Sequence, residues 1–247
     1  MTKSHSTNIA MWSGPRNIST AMMYSFANRD DCVAWDEPFY AAYLKETGLN
    51  HPMRDEIIAG GEPDWRKVSK ICTEPAAKPV FYQKHMTHHM LKDFDRSFIK
   101  QLANAFLIRS PEKVLASYAK KHDEVSLHAI GFVEQAEIFD IVANHLGHVP
   151  PVIDADVHLA NPRKSLQHLS HALGIPFREA MLHWSKGPKP CDGVWAPHWY
   201  NAAWESEGFG PPANLPPALP PELQRIADQA RPYFEKLKAH AFRHEPS

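Results

Sequence analysis

Residues 8–28 read Asn8-Ile9-Ala10-Met11-Trp12-Ser13-Gly14-Pro15-Arg16-Asn17-Ile18-Ser19-Thr20-Ala21-Met22-Met23-Tyr24-Ser25-Phe26-Ala27-Asn28, and the fold turns on them. The apolar run Ile9 to Trp12 predicts a short strand, stopped by Ser13-Gly14-Pro15. Ile18, Ala21, Met22, Ser25 and Phe26 then recur at helical spacing, so a helix follows at once. Strand, tight turn and helix in this order aim the helix's free N–H groups at the space above the strand end. Those amides and the positive end of the helix dipole make an anion site. Arg16 adds a permanent cation there, and Asn17, Ser19 and Thr20 add three short polar side chains. Phosphate or sulfate is the natural guest. The turn lacks the Gly-Lys-Ser/Thr ending of nucleotide-hydrolase loops, whose hydroxyl holds magnesium. It also lacks the glycine-rich dinucleotide fingerprint, since only Gly14 is present. An ordinary strand–helix turn with Ser19 or Thr20 as N-cap fits the same residues.

Composition bounds the rest. With 247 residues and 43% hydrophobic content the chain can bury a sizeable core, and it reads as one domain over 1–247. A net charge of −1 gives no global field for nucleic acid or an anionic membrane, so any anion site is local. No apolar run approaches the roughly 20 residues of a spanning helix, and the N-terminus has no signal-peptide apolar region. Cys32, Cys72 and Cys191 are odd in number and far apart, which argues against a disulfide framework. A cytoplasmic location is the expectation.

Outward from the first helix, strands and helices alternate. Cys32 to Trp35 is a second strand, closed by Asp36-Glu37-Pro38-Phe39, and residues 40–75 read as helical pieces. Pro79 to Gln83 is a third strand ending in Lys84-His85-Met86. Thr87-His88-His89-Met90 opens a short helix, and Phe94 to Leu102 makes another. Asn104 to Ile108 is a fourth strand; Pro111 then starts a helix over Glu112 to Lys121. A long helix spans Gly131 to Leu146, a fifth strand Pro151 to Ala155, and a further helix runs through Leu159, Leu166, Leu169 and Leu173 and stops at Gly174. This alternation predicts an α/β, three-layer sandwich with a central, mostly parallel five-stranded sheet and helical additions. Residues 184–212 hold tryptophans 184, 195, 199 and 204; residues 210–221 form a proline-rich linker, and 222–242 a closing helix.

A second anchor stands at Arg109, ending the fourth strand, with Ser117 two turns into the next helix. Here, in Leu107-Ile108-Arg109-Ser110-Pro111 through Ser117-Tyr118, the chain resembles the sulfotransferase family, which uses 3′-phosphoadenosine 5′-phosphosulfate as donor. The resemblance implies a P-loop-like nucleotide-binding fold. It implies that Arg109 and Ser117 grip the donor's 3′-phosphate, and that Gly14 to Thr20 forms the 5′-phosphosulfate loop with Arg16, Asn17, Ser19 and Thr20. Where that family usually has Gly, this chain has Ile18. Lys186-Gly187-Pro188-Lys189 looks like the late basic loop that covers the adenosine. Independently, a doubly phosphorylated donor needs two cation sites on one rim, and arginine's planar fork suits both. A salt bridge from Arg109 to Glu112 or Asp154 is the structural alternative.

Sulfuryl transfer asks for in-line positioning, charge stabilisation and a base for the acceptor. A sulfuryl group carries one negative charge fewer than phosphoryl, so Lys or Arg can replace magnesium, and no metal is expected. Glu37 is one candidate base, similar to the Glu-Pro-Phe of some bacterial carbohydrate sulfotransferases. Lys84-His85 resembles the Lys-x-His of cytosolic sulfotransferases, offset by one residue, which turns a strand side chain to the other face. Lys84 could then serve the bridging oxygen and His85 the proton. His88-His89 read as exposed helix-cap histidines. The tryptophans line an acceptor pocket, stack on adenine, or form a satellite core. A small-molecule acceptor is expected; a phosphotransferase with a degenerate loop and a non-catalytic binding protein are the alternatives.

Overall fold

Strand β1 (Thr7–Ser13) is the middle of the sheet, and both of its faces are covered. Side chains alternate across a strand. Ile9 and Met11 therefore enter one core, while Ala10 and Trp12 enter the other. The computed structural model describes residues 6–122, 124–212 and 218–244. The first five residues and residues 213–217 of the expected linker lie outside the described residues.

Helix α1 (Ser19–Ala27) follows β1, then β2 (Cys32–Asp36) and three helices, α2 (Tyr40–Thr47), α3 (Arg54–Gly60) and α4 (Trp65–Thr73). Next come β3 (Val80–Met86), β4 (Ala103–Ile108), α5 (Pro111–Tyr118), α6 (Phe132–Leu146) and β5 (Val152–Asp154). The chain continues through α7 (Ala155–Ala160), α8 (Pro162–Ala172), two short turns, α9 (Ala196–Trp199) and α10 (Asn201–Trp204), and α11 (Pro221–Lys238). The sheet order is β2-β3-β1-β4-β5 and all four pairings are parallel. Parallel strands buried on both faces by helices are the expected economy of such sheets. One face packs on α4, α5, α6 and α11 through Val68, Leu115, Phe139 and Phe234. The other packs on α1, α2 and α8 through Met22, Tyr40 and Leu166.

Several element ends differ from expectation. Residues 94–102 hold only a 3-10 turn, Ser97–Gln101, and residues 87–89 another. The single helix expected after β5 is two, because the Asn161 side chain accepts from Lys164 N–H and starts a new helix at Pro162. The closing helix ends at Lys238, and α5 at Tyr118.

The topology fixes where a ligand belongs. From β1 the chain crosses to β2 on one side, whereas β4 leads to β5 on the other. The strand order therefore reverses between β1 and β4, and in open α/β sheets ligands bind at the carboxyl ends beside that switch. In register, Ser13 lies between Met86 and Leu107, so the turns after these three strands share one rim. Buried Gln135 of α6 ties the rim together, donating to the carbonyls of Trp12 and Leu107 at 3.1 and 2.9 Å.

Candidate active site

The turn from β1 into α1 holds two residues in left-handed backbone and an uncapped helix start. Arg16 (φ 62°) and Ile18 (φ 55°) are both left-handed, a conformation that costs an L-residue 1–2 kcal/mol or so. For β-branched Ile18 it is a local strain, of the kind that structures keep at functional sites. The family position that Ile18 occupies is thus held in the backbone shape that glycine adopts freely. Ile18 is also the residue before α1, and no side chain caps the helix. Ser19 and Thr20, the N-cap alternatives, do not take that position, and among the described residues the first-turn amides have no side-chain cap. Among the described residues neither hydroxyl has a protein hydrogen bond; Ser19 is buried and Thr20 half-buried. Under the turn, the Oγ of Ser13 and the Oδ1 of Asn17 are buried without a partner. Gly14 is required by close approach, since a Cβ there would lie 2.4 Å from the Ile130 carbonyl oxygen.

Arg16 and Arg109 share this rim. Arg109 Nη1 donates to the Arg16 carbonyl at 2.9 Å, and Arg16 Nε donates to Ser117 Oγ at 2.8 Å. Arg16 thus reaches toward the partner expected for Arg109, so the three residues form one cluster. Burial lowers the Arg16 pKa, and the Arg109 charge lowers it further; burial lowers that of Arg109 too, against the pull of Asp156 and Asp154. Neither guanidinium has a carboxylate within 4.0 Å among the described residues, and Arg109 Nε is buried without a partner. The alternative salt bridges do not form: Glu112 pairs with Arg231, and Asp154 caps α7.

A second cluster sits at the ends of β2 and β3. Lys84, 1% exposed, donates to Asp36 Oδ1 at 2.9 Å, Glu37 Oε1 at 2.6 Å and Tyr200 Oη at 2.7 Å. Burial opposes its charge, but Asp36 and Glu37 together raise its pKa. An ammonium has three donors, and all three are engaged, so the expected contact of Lys84 with a bridging oxygen is not available to it. Glu37 sits at φ 41°, and burial raises its pKa against the pull of Lys84. A cleft of about 270 Å³ opens beside it, lined by Trp35, Asp36, Glu37, Asp192 and Trp195 among others.

Other expected residues lie elsewhere. His85 points to the opposite sheet face, stacked on Trp12 at 4.4 Å, and burial drops its pKa to about 3. A strand's period of two puts it there once Lys84 faces the rim; the proton-acceptor role expected of it is corrected accordingly. His88 and His89 are buried rather than exposed, His89 stacking on Tyr40 and Tyr43. Lys189 lies over the Tyr24 ring and bonds the Gly187 carbonyl, and Lys186 is exposed; neither joins the arginine cluster. Trp184 and Trp195 are packed into the main core on the α1 face, and Trp195 also lines the cleft beside Glu37. Sequence reasoning missed Tyr200 and Asp192. Asp192 accepts from Tyr24 Oη and Trp204 Nε1 and fastens this segment to α1.

A family model described as a sulfotransferase domain matches residues 7–241. Two curated Arabidopsis thaliana proteins match over 233 residues. "Branched-chain-amino-acid aminotransferase-like protein 2" is 38% identical, over 94% of this chain and 41% of that protein. "Branched-chain-amino-acid aminotransferase-like protein 1" is 37% identical, over 94% and 42%. The chain thus spans about two-fifths of the length of these relatives. Among solved structures, the "Sulfotransferase Domain from the Curacin Biosynthetic Pathway" superposes with a TM-score of 0.52 at 16% identity, covering 92% of this chain and 98% of that one. The "Sulfotransferase Domain from the Synechococcus PCC 7002 Olefin Synthase" gives 0.53 at 17% identity, covering 92% and 95%. At such identities these likenesses speak to the fold.

Proposed function

The chain belongs to the sulfotransferase domain family, and on that premise we propose that it transfers a sulfuryl group from 3′-phosphoadenosine 5′-phosphosulfate to a hydroxyl or amine of a small-molecule acceptor. One observation carries the reading. Two desolvated guanidiniums, Arg16 and Arg109, stand together at the switch point with no carboxylate against them among the described residues. Such an arrangement is costly without an anion and favourable with one.

Arg109 and Ser117 hold the 3′-phosphate end, and Arg16, expected at the 5′ end, joins them there because its side chain bonds Ser117. The amides at the start of α1, with the hydroxyls of Ser19 and Thr20, hold the 5′ end. The donor supplies the sulfuryl group. Glu37 takes the acceptor's proton as the new oxygen–sulfur or nitrogen–sulfur bond forms and the sulfur–oxygen bond to the nucleotide breaks. A carboxylate whose pKa is raised by burial is a better base than one in water. Lys84 holds Glu37 in place, and the cleft beside Glu37 admits the acceptor. The aminotransferase-like names describe longer plant proteins and are not carried to this chain. Among the described residues no helix is long and apolar enough to cross a membrane.

Titration calorimetry with 3′-phosphoadenosine 5′-phosphate tests the donor site. Saturable binding is expected; no heat at millimolar nucleotide overturns the reading. Turnover of a nucleoside triphosphate with magnesium in its place would assign the loop to phosphoryl transfer instead.

A further inference from the structure

We propose that Tyr200 is a positioning residue for the Glu37 carboxylate, acting through Asp36 and Lys84. This rests on the reading of Glu37 as the base. Tyr200 is 6% exposed and sits between α9 and α10, 116 residues from Lys84 in sequence. Its hydroxyl donates to Asp36 Oδ2 at 2.7 Å and accepts from Lys84 Nζ at 2.7 Å and Trp195 Nε1 at 3.2 Å. Lys84, Asp36 and Tyr200 thus close a triangle of bonds, and Glu37 hangs from its lysine corner by one bond of 2.6 Å.

The backbone at Glu37 is fixed from both sides. Its N–H donates to the Lys84 carbonyl at 3.0 Å, and its carbonyl accepts from Tyr40 N–H at 3.0 Å. What remains to be set is the carboxylate itself, and Lys84 sets it. Without the Tyr200 hydroxyl, Asp36 Oδ2 keeps, among the described residues, the 3.2 Å bond from Gly193 N–H alone, so Asp36 draws the ammonium more strongly and Glu37 loses part of it. The groups facing Glu37 are Asp36 from β2, Lys84 from β3, Tyr40 from α2 and Tyr200. Of these, Lys84 favours its ionised form, Asp36 opposes it, and the Tyr200 hydroxyl favours it by a direct contribution beside the one carried through the triangle. Tyr82 supplies an internal contrast: it is buried on β3, yet its hydroxyl has no hydrogen-bond partner.

The test follows the protonated-carboxyl infrared band that vanishes in Glu37→Gln, titrated in the full chain. In Tyr200→Phe the band should persist to a pH about one unit higher than in the parent, with 3′-phosphoadenosine 5′-phosphate affinity within about twofold. Tyr82→Phe should leave the titration unmoved. Asp36→Asn should shift it the other way, to lower pH, and this decides the matter if Tyr200→Phe does not fold. An unmoved band in Tyr200→Phe, an equal shift in Tyr82→Phe, or no downward shift in Asp36→Asn overturns the proposal. If the parent does not bind the bisphosphate, the donor reading fails while the infrared titration still decides the coupling.

Discussion

Arg16 and Arg109 are two partly buried cations joined through the Arg16 carbonyl, and the Arg109 charge makes Arg16 harder to keep charged. Removing Arg109 should therefore weaken binding while changing the unliganded fold little. Arg109→Ala should weaken 3′-phosphoadenosine 5′-phosphate by about 1.5–3 kcal/mol, the size of a charge-assisted contact. It should leave the unfolding free energy of the empty protein within about 1 kcal/mol, because a lost bond to the Arg16 carbonyl is offset by relieved repulsion. Calorimetry and denaturant titration of the same variant check both; an unchanged affinity removes Arg109 from the site. Glu37 carries the second residue-scale expectation. Glu37→Gln should lower turnover about 100-fold with bisphosphate affinity nearly intact, as loss of a general base implies. Because burial raises the Glu37 pKa, the parent's rate should climb with pH through a value above the ordinary carboxylate range. A full rate below that range, or in the Gln variant, takes the base role away.

The element that matters most is the turn joining β1 to α1, and its shape depends on a neighbour far along the chain. Gly14 passes so near the Ile130 carbonyl that a methyl group would lie at 2.4 Å. Gly14→Ala should cost about 1–3 kcal/mol of stability, as overpacking does, and should weaken bisphosphate binding by moving the amides. Denaturant unfolding and calorimetry would show both, and a variant as stable and as tight as the parent would mean the turn yields freely. The strand–turn–helix itself was readable in the residues, because Gly14-Pro15 and Ser110-Pro111 cut apolar runs at the strand ends. Arg16, Arg109, Glu37 and Lys84 were readable for the same reason: residues at the carboxyl ends of parallel strands share a rim. The bond from Arg16 to Ser117 spans 101 residues, and that from Tyr200 to Lys84 spans 116, so neither leaves a local pattern. Helix ends were missed where apolar spacing ran past a local stop, as at Asn161-Pro162.

At the scale of the whole molecule, the net charge of −1 conceals an uneven interior. Arginines with no carboxylate within 4.0 Å among the described residues gather at the β1–β4 switch, carboxylates around Lys84, and uncharged imidazoles in the packed layers. The imidazoles set how the fold responds to acid. Burial lowers the pKa of His85, His88 and His158 to about 3, and that of His89 well below its usual value. In the unfolded chain each returns to roughly 6.5. As pH falls, the unfolded state takes up protons first, so stability is fully present above about 6.5 and drains as pH drops toward the folded values. Each group contributes about 1.4 kcal/mol per pH unit across that window. Four together reach roughly 5.5 kcal/mol per unit, against a net stability on the order of 5–15 kcal/mol for a whole protein. Glu37 and Asp154 run the other way, since their raised pKa values let the fold bind a proton more tightly, but they stand against these four imidazoles and the lowered His51, His122 and His168. The protein should therefore lose most of its stability between about pH 6.5 and about pH 5, before ordinary carboxylates titrate. Denaturant midpoints measured at about pH 7, 6 and 5 would fall steeply. A midpoint that holds across that span would mean the imidazoles are reached by water or paired in a way that keeps them near their free values.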